Sequence, residues 1–285
     1  MAETADAVQS IERSARVVAA IARGEADGVR AVDVAARTGL HKTTVHRILA
    51  TLEGLGWVEH NDVGQYRIGL ELVALGLAGA RRRGLVELAG PHLSRLAEET
   101  GDTVYLQVRM GGAALCVDRV TGSFPIRALT LGVGDRRPLG AGAGSLALLA
   151  WSPDEEVTRA IAATVQGPYE NFRSRQAIRE MVAAARAAGY AHNPGLIIPG
   201  AEGIGVPVVD AHGNAVAAIS IAAISSRFAD GRLARLAALL QAEAGLLGQR
   251  LLDVQPGLSA SSSRGLLRDT DQPAGPRARW PEAAR

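Results

Sequence analysis

Lys42-Thr43-Thr44-Val45-His46-Arg47 sets polar side chains around one apolar residue, and their types suit contact with a polyanion. Arg47 can bond guanine bidentately or clamp a phosphate, and Lys42 can meet a phosphate as a point charge. Thr43 and Thr44 offer hydroxyls and methyls to base edges, with His46 beside them. Val45, Ile48, Leu49 and Leu52 recur at helical spacing, so the polar set projects from the opposite face. Upstream, Val32, Val34 and Ala35 repeat the pattern, and Thr38-Gly39 supplies a helix end because glycine accepts the left-handed conformation. Two short helices about a tight turn form a helix-turn-helix, whose second helix can reach a major groove. The same residues also fit an ordinary solvated helix face, and neither helix has Ser, Thr, Asp or Asn immediately before it as an N-cap.

A second candidate is Gly140-Ala141-Gly142-Ala143-Gly144-Ser145, where backbone amides ahead of a helix can hold an anion. The Walker A lysine is missing and the dinucleotide fingerprint does not match. A close-packed turn and amides offered to a small carboxylate both stay open. Ser220, in Ala218-Ile219-Ser220-Ile221, is a hydroxyl in an apolar strand, either bonded to backbone or lining a pocket. No serine occupies a nucleophile elbow and no Ser/His/Asp or Cys/His set assembles, while Asp118, Glu202 and Asp210 read as turn or surface acids. The six histidines lack a ligand spacing, and a single Cys116 excludes an internal disulfide and a cysteine metal cluster. Neither metal nor cofactor is expected, and catalysis has no positive signature.

Periodicity gives the elements that must carry these groups. Ser10 to Arg23 reads as a supporting helix with Ser10 as N-cap and a face of Ile11, Ala15, Val18, Ala19 and Ala22. Gly24 to Gly28 is a loop. Trp57 to His60 and Gln65 to Ile68 form a hairpin about Asn61-Asp62-Val63-Gly64, which makes the whole a winged helix-turn-helix over 10–69. A basic-tipped wing is expected, with Arg67 best placed for a phosphate and Arg30 joining the DNA-facing set. Residues 70–83 form a linker helix, apolar at Leu72, Leu75 and Leu77, which either dimerises or packs on its own domain.

Residues 84–253 form the second domain. Leu85 to Thr100 is a helix that Gly90-Pro91 can bend, followed by strands over Thr103 to Val108, Ala114 to Val120 and Ile126 to Leu131. Helices follow at Leu146 to Trp151, after Ser152-Pro153-Asp154-Glu155 (cap, first-turn proline and capping-box glutamate), and at Ser174 to Ala188. A hairpin pairs Ile204 to Val209 with Ala215 to Ile224, and a last helix spans Arg227 to Leu252. Residues 254–285, rich in Pro, Ser, Gly and Arg, read as a disordered tail. The fold class is α+β with an antiparallel sheet.

A chain of 285 residues suits two domains, and a formal net charge of +2 does not by itself announce a nucleic-acid partner. The distribution must carry that argument: residues 28 to 50 place Arg30, Arg37, Lys42 and Arg47 against Asp33 alone, as phosphate contact would require, while acidic flanks cancel the excess. No signal peptide is evident and no apolar run approaches the ~20 residues of a membrane span, so a cytoplasmic location is expected.

Between residues 10 and 252 the chain resembles the IclR family of bacterial transcriptional regulators. The resemblance rests on SIERSARVVAAIA, LHKTTVHRILATLEGLGWVE, QYRIGLELVALG, GDTVYLQV, RPLGAGAGSLALLA and VPVVDAHGNAVAAISIAA, in that order. It implies a GAF/profilin-like effector domain, a homodimer or dimer of dimers on double-stranded DNA with a palindromic operator, and control of a catabolic operon by a small organic or aromatic acid. By position, the family pocket falls on Ile126, Leu129, Ala143, Gly144, Asn193, Ala201, Gly203, Ser220 and Ala222. Gly203 stands where a cysteine is common and Ala222 where a second hydroxyl is, which points to a bulkier or more apolar effector than a two-carbon acid, or to none. Two other classes compete: a small-acid-processing enzyme with residues 10 to 68 as a docking module, and an architectural DNA binder indifferent to any effector.

Overall fold

The computed structural model describes residues 8–24, 27–165, 172 and 174–254, without the side chains of 77, 80–83 and 163. They fall into two compact units that divide between Arg83 and Gly84. The first contains helix α1 (Gln9–Ala22), strand β1 (Val29–Arg30), helices α2 (Ala31–Thr38) and α3 (Lys42–Gly54), strands β2 (Val58–His60) and β3 (Gln65–Ile68), and helix α4 (Leu70–Arg83). Val17, Ile21, Val34, Val45, Leu49, Leu52 and Val58 make its core.

The buried face of α1 is rotated from the one expected. Val17, Ala20 and Ile21 are buried, whereas Ile11 is 67% exposed and Ala15 and Ala22 face solvent. Large aliphatics four residues apart, Val17 and Ile21, set the face, and alanines follow wherever those turn. Ser10 is not the cap; Val8 occupies that position in extended conformation with no side-chain bond to the helix. Gly39 ends α2 as expected, at φ +68°. β1, which periodicity does not announce, pairs with β3 through Val29↔Tyr66, giving the sheet order β1-β3-β2. The wing tip, Asn61 to Gly64, holds Asp62 and no cation, and Asn61 Oδ1 fastens it by accepting the Val63 and Gln65 amides. Leu70, Val73 and Leu75 on α4 are exposed.

The second unit runs through α5 (Leu85–Thr100), β4 (Thr103–Met110), β5 (Ala113–Val120), β6 (Arg136–Pro138), α6 (Ala143–Ala150), α7 (Asp154–Thr164) and α8 (Arg175–Ala188), then β7 (Ala191–Ile198), β8 (Ala201–Val209), β9 (Ala215–Ile224) and α9 (Arg232–Val254). The antiparallel sheet has the order β6-β5-β4-β9-β8-β7. On one face Val104, Leu106, Ile204, Val206, Ile219 and Ile221 pack with Leu93 and Leu96 of α5 and Leu240 and Leu247 of α9. On the other, Ala114, Ala191 and Ala218 receive α6, every residue of which is buried, backed by Ile161 of α7 and Ile178 of α8.

Three expectations need correction here. Ile126 to Leu131 is not a strand: long side chains satisfy its carbonyls, with Tyr105 donating to Ala128, Arg137 to Thr130 and Arg119 to Leu131. β6 takes the third place instead. β7 went unread because Asn193-Pro194-Gly195 breaks the alternation, and the ladder is interrupted between Asn193 and Ile198. The last helix starts at Arg232, after Asp230 and Gly231 at positive φ, with Ser225–Phe228 a short 3-10 turn. Ser174 caps α8 as expected, accepting from the Ala177 amide, but the Ser152 hydroxyl turns away from α7 and donates to the Leu148 carbonyl. Val254 still belongs to α9, and the rest of the expected tail lies outside the described residues.

Asp102 ties the end of α5 to the start of α9. Its buried carboxylate accepts from Arg227 Nε at 2.6 Å and from Arg232 Nη2 at 2.7 Å, and both guanidiniums also reach the Thr100 carbonyl. Removing one partner of a buried pair costs about 3–5 kcal/mol, reduced here because both arginines are partly exposed. Asp102→Asn is therefore expected to lower the stability of this unit by about 2–4 kcal/mol in chemical denaturation; a change under about 0.5 kcal/mol, the scatter of an ordinary surface substitution, would show the pairing to be incidental.

Candidate functional site

Val45, Leu49 and Leu52 anchor α3 to the core and leave Lys42, Thr43, His46 and Arg47 exposed, with Thr44 half-buried. Lys42, His46 and Arg47 make no ion pair among the described residues, so their polar ends face outward uncommitted. Thr43 Oγ1 is bonded to His41 Nδ1 at 2.9 Å. The other expected cations differ. Arg30 pairs with Asp33 at 3.1 Å and Arg67 with Glu59 at 2.7 Å across the hairpin; such exposed pairs are worth about 0–1 kcal/mol, so a phosphate can displace the carboxylate cheaply. Arg37, itself exposed, donates Nη1 to the Ala20 carbonyl at 3.1 Å, tying α2 to α1. His41 precedes α3 without a side-chain cap, so the first amides of that helix stay available, at the end where the helix dipole favours an anion.

The second site is a cavity of about 40 Å³ between the start of α6 and the strands β4, β7, β8 and β9. Its making depends on glycines. A Cβ at Gly205 would lie 2.8 Å from the backbone of Ala143, and one at Gly144 would strike Gln107 Oε1 at 1.8 Å. α6 can therefore lie directly on β8 with Gln107 against its first turn. Gly140 and Gly142, at φ +92° and +105°, turn the chain into the helix. The glycine run is thus both a close-packed turn and an array of amides at a helix start. α6 begins at Ala143, three residues before the expected start, so Gly144 and Ser145 are helical.

Ala143, Gly144, Asn193, Ala201, Gly203, Ser220 and Ala222 all border the cavity. Ile126 and Leu129 do not: they are 57% and 46% exposed, because the capture of the Ala128 and Thr130 carbonyls turns Thr130 and Leu131 inward instead. Ser145 of the glycine turn lines it too, as do Tyr105, Gln107 and Arg137, which the sequence reading does not assign to a pocket. Arg137, 9% exposed, donates Nη2 to the Thr130 carbonyl at 2.6 Å while its Nε meets no acceptor. Asn193 Oδ1 accepts the Leu196 amide and its Nδ2 meets no acceptor. The only sequence signal for Arg137 was its position just before the glycine turn. Glu202 borders the cavity from β8, but its side chain turns to the opposite face of the sheet, where it bonds His192 Nε2 at 3.0 Å.

The chemistry available is binding. The Ser220 hydroxyl donates to Gln107 Oε1 at 3.5 Å, with no described histidine or carboxylate placed to activate it. Burial pushes the Cys116 thiol up to about 11, so it stays protonated and inert. Among the described residues no group of His, Cys, Asp or Glu could hold a metal ion, and no helix is long and apolar enough to cross a membrane.

Comparison with known proteins agrees with this geometry. The model of the IclR helix-turn-helix domain matches residues 10–62, and that of the bacterial transcriptional regulator IclR C-terminal domain matches residues 78–247. The chain is 29% identical to the HTH-type transcriptional regulator XynR of Escherichia coli over 86% of its own length and 97% of that protein's. It is 31% identical to the HTH-type transcriptional regulator BhcR of Paracoccus denitrificans, over 82% and 84%. A crystal structure of an IclR homolog of Microbacterium hydrocarbonoxydans complexed with 4-hydroxybenzoate superposes with a TM-score of 0.72 at 26% identity, covering 86% of this chain and all of that one.

Proposed function

The chain belongs to the IclR family of bacterial transcriptional regulators, a DNA-binding regulator rather than an enzyme, and from that premise we propose that it controls a catabolic operon from a palindromic operator in response to a small organic acid. The observation that carries the DNA half is the exposed, unpaired set Lys42, His46 and Arg47 on an uncapped α3. Lys42 and Arg47 meet phosphate or guanine, Thr43, Thr44 and His46 complete the contact, and Arg30 and Arg67 exchange their carboxylates for backbone phosphates. A homodimer or dimer of dimers, joined in part through the exposed Leu70, Val73 and Leu75 of α4, presents two such helices to half-sites about one DNA turn apart.

The acid half rests on the cavity. Its unsatisfied polar groups are donors, which suits a carboxylate, and an aromatic acid occupies the Microbacterium relative. Tyr105, Gln107 and Arg137 line the cavity and supply polar groups that Gly203 and Ala222 lack, which suits an acid rather than a wholly apolar effector. An acid that prefers one arrangement of the sensor units shifts the dimer toward or away from DNA by no more than its differential affinity for the two. Cytoplasmic residence goes with this role.

Binding of the full chain to the intergenic DNA beside its own gene, against random duplex at several salt concentrations, tests this reading. It predicts a preference of about a thousandfold or more. Equal affinity with a steep salt dependence would mark an architectural binder instead. In the same assay Arg47→Ala is expected to cost about 1–3 kcal/mol on the operator and much less on random duplex; equal losses on both would reduce Arg47 to a phosphate contact.

A further inference from the structure

The cavity at the start of α6 contains a cation without a counterion. A guanidinium stays protonated, and buried charges are normally paired, because leaving one desolvated and alone is costly. Yet the buried Arg137 has no carboxylate partner among the described residues and only the Thr130 carbonyl on its Nη2. Glu202, the one carboxylate among the cavity's lining residues, bonds His192 beyond the sheet; Asp135 accepts the Gly132 amide and Glu156 pairs with Arg109. Gly142 lets the guanidinium lie against the turn, since a Cβ there would stand 2.9 Å from Arg137 Nη1.

Two further donors border the same space. Asn193 Nδ2 is buried and unsatisfied, and the first amides of α6 precede any acceptor within that helix. The acceptors are already used: Gln107 Oε1 by Ser220 and Asn193 Oδ1 by the Leu196 amide. One fixed positive charge and surplus donors describe a site lacking a carboxylate.

We propose that Arg137 is the counterion of the effector: a small monocarboxylate bound by Arg137, Asn193 and the first amides of α6 neutralises the charge that destabilises the empty sensor unit. This rests on reading the cavity as the effector site, and adds the residue that selects for an ionised ligand.

The test uses the full chain with acetate, pyruvate, benzoate and 4-hydroxybenzoate, each beside its neutral amide at equal ionic strength, followed by calorimetric titration and melting. At least one acid is expected to bind, and at a hundredfold excess over its Kd to raise the melting temperature by about 5 °C, while its amide does neither. Arg137→Met is expected to melt at or above the wild type without ligand and to bind that acid at least tenfold more weakly. Arg137→Lys keeps the charge and should recover part of the affinity, which serves equally if the methionine variant does not fold. Equal affinity of wild type and both variants, or of acid and amide, would overturn the role of Arg137 and leave the effector site standing. No binding by any acid would overturn both.

Discussion

Leu49→Ala is expected to abolish operator binding at growth temperature by unfolding the first unit. Leu49 is fully buried where α3 meets the cluster of Val17, Val34, Val45 and Leu52, and truncating such a leucine costs about 2–5 kcal/mol. The core of this unit is small, so that loss is a large part of its total stability. Residues 84–254 have cores of their own, built on separate residues, so calorimetry should show one transition falling and the other unmoved. A variant that keeps both transitions would mean that α3 is not held by its buried face.

Gly205→Ala is the second large effect, and it strikes the other site. The added methyl would stand 2.8 Å from the carbonyl carbon and oxygen of Ala143 and 3.0 Å from the Gly144 amide nitrogen, all main-chain atoms that cannot swing aside. Either α6 lifts from β8 or the strand shifts, at a cost of about 1–3 kcal/mol or more. Because the same movement displaces the first amides of α6, acid affinity should fall by about tenfold or more, whereas operator binding without acid should persist. Gly144→Ala makes a useful contrast: its methyl meets side-chain atoms only, the end of Gln107 and the Ser220 hydroxyl, which can rotate, so that variant should stay folded while filling the cavity. Wild-type stability in Gly205→Ala would refute the tight seating of α6.

How much of this could be read from residues alone depended on what fixed each element. α3 and the turn at Gly39 were legible because Val45, Leu49 and Leu52 are large, correctly spaced and buried by their own domain. α1 was misread by a partial turn because its alanines carry little preference and only Val17 and Ile21 decide the face. The segment 126–131 alternates as strands do, but distant Tyr105, Arg119 and Arg137 side chains take its carbonyls, and no local pattern announces that. The cavity was legible by resemblance where small residues line it, at Ala143, Gly144, Gly203 and Ser220. Arg137 escaped notice because an arginine beside a proline reads as surface; only the fold shows that β6 carries it beneath the glycine turn. The sequence marks Arg30 and Arg67 as DNA-facing but not their pairing, because Asp33 and Glu59 meet them only once α2 and the hairpin form.

The central claim is that the cavity governs the DNA-binding face, and the most direct measurement is operator affinity with and without a saturating acid that binds the wild-type protein. Coupling between two sites is typically worth about 1–3 kcal/mol and is reciprocal. Operator Kd should therefore change by about fivefold or more on adding the acid, and operator DNA should change the affinity for the acid by the same factor. An acid that fills the cavity and leaves operator affinity unchanged would contradict the account, leaving a DNA-binding protein whose pocket does not control it.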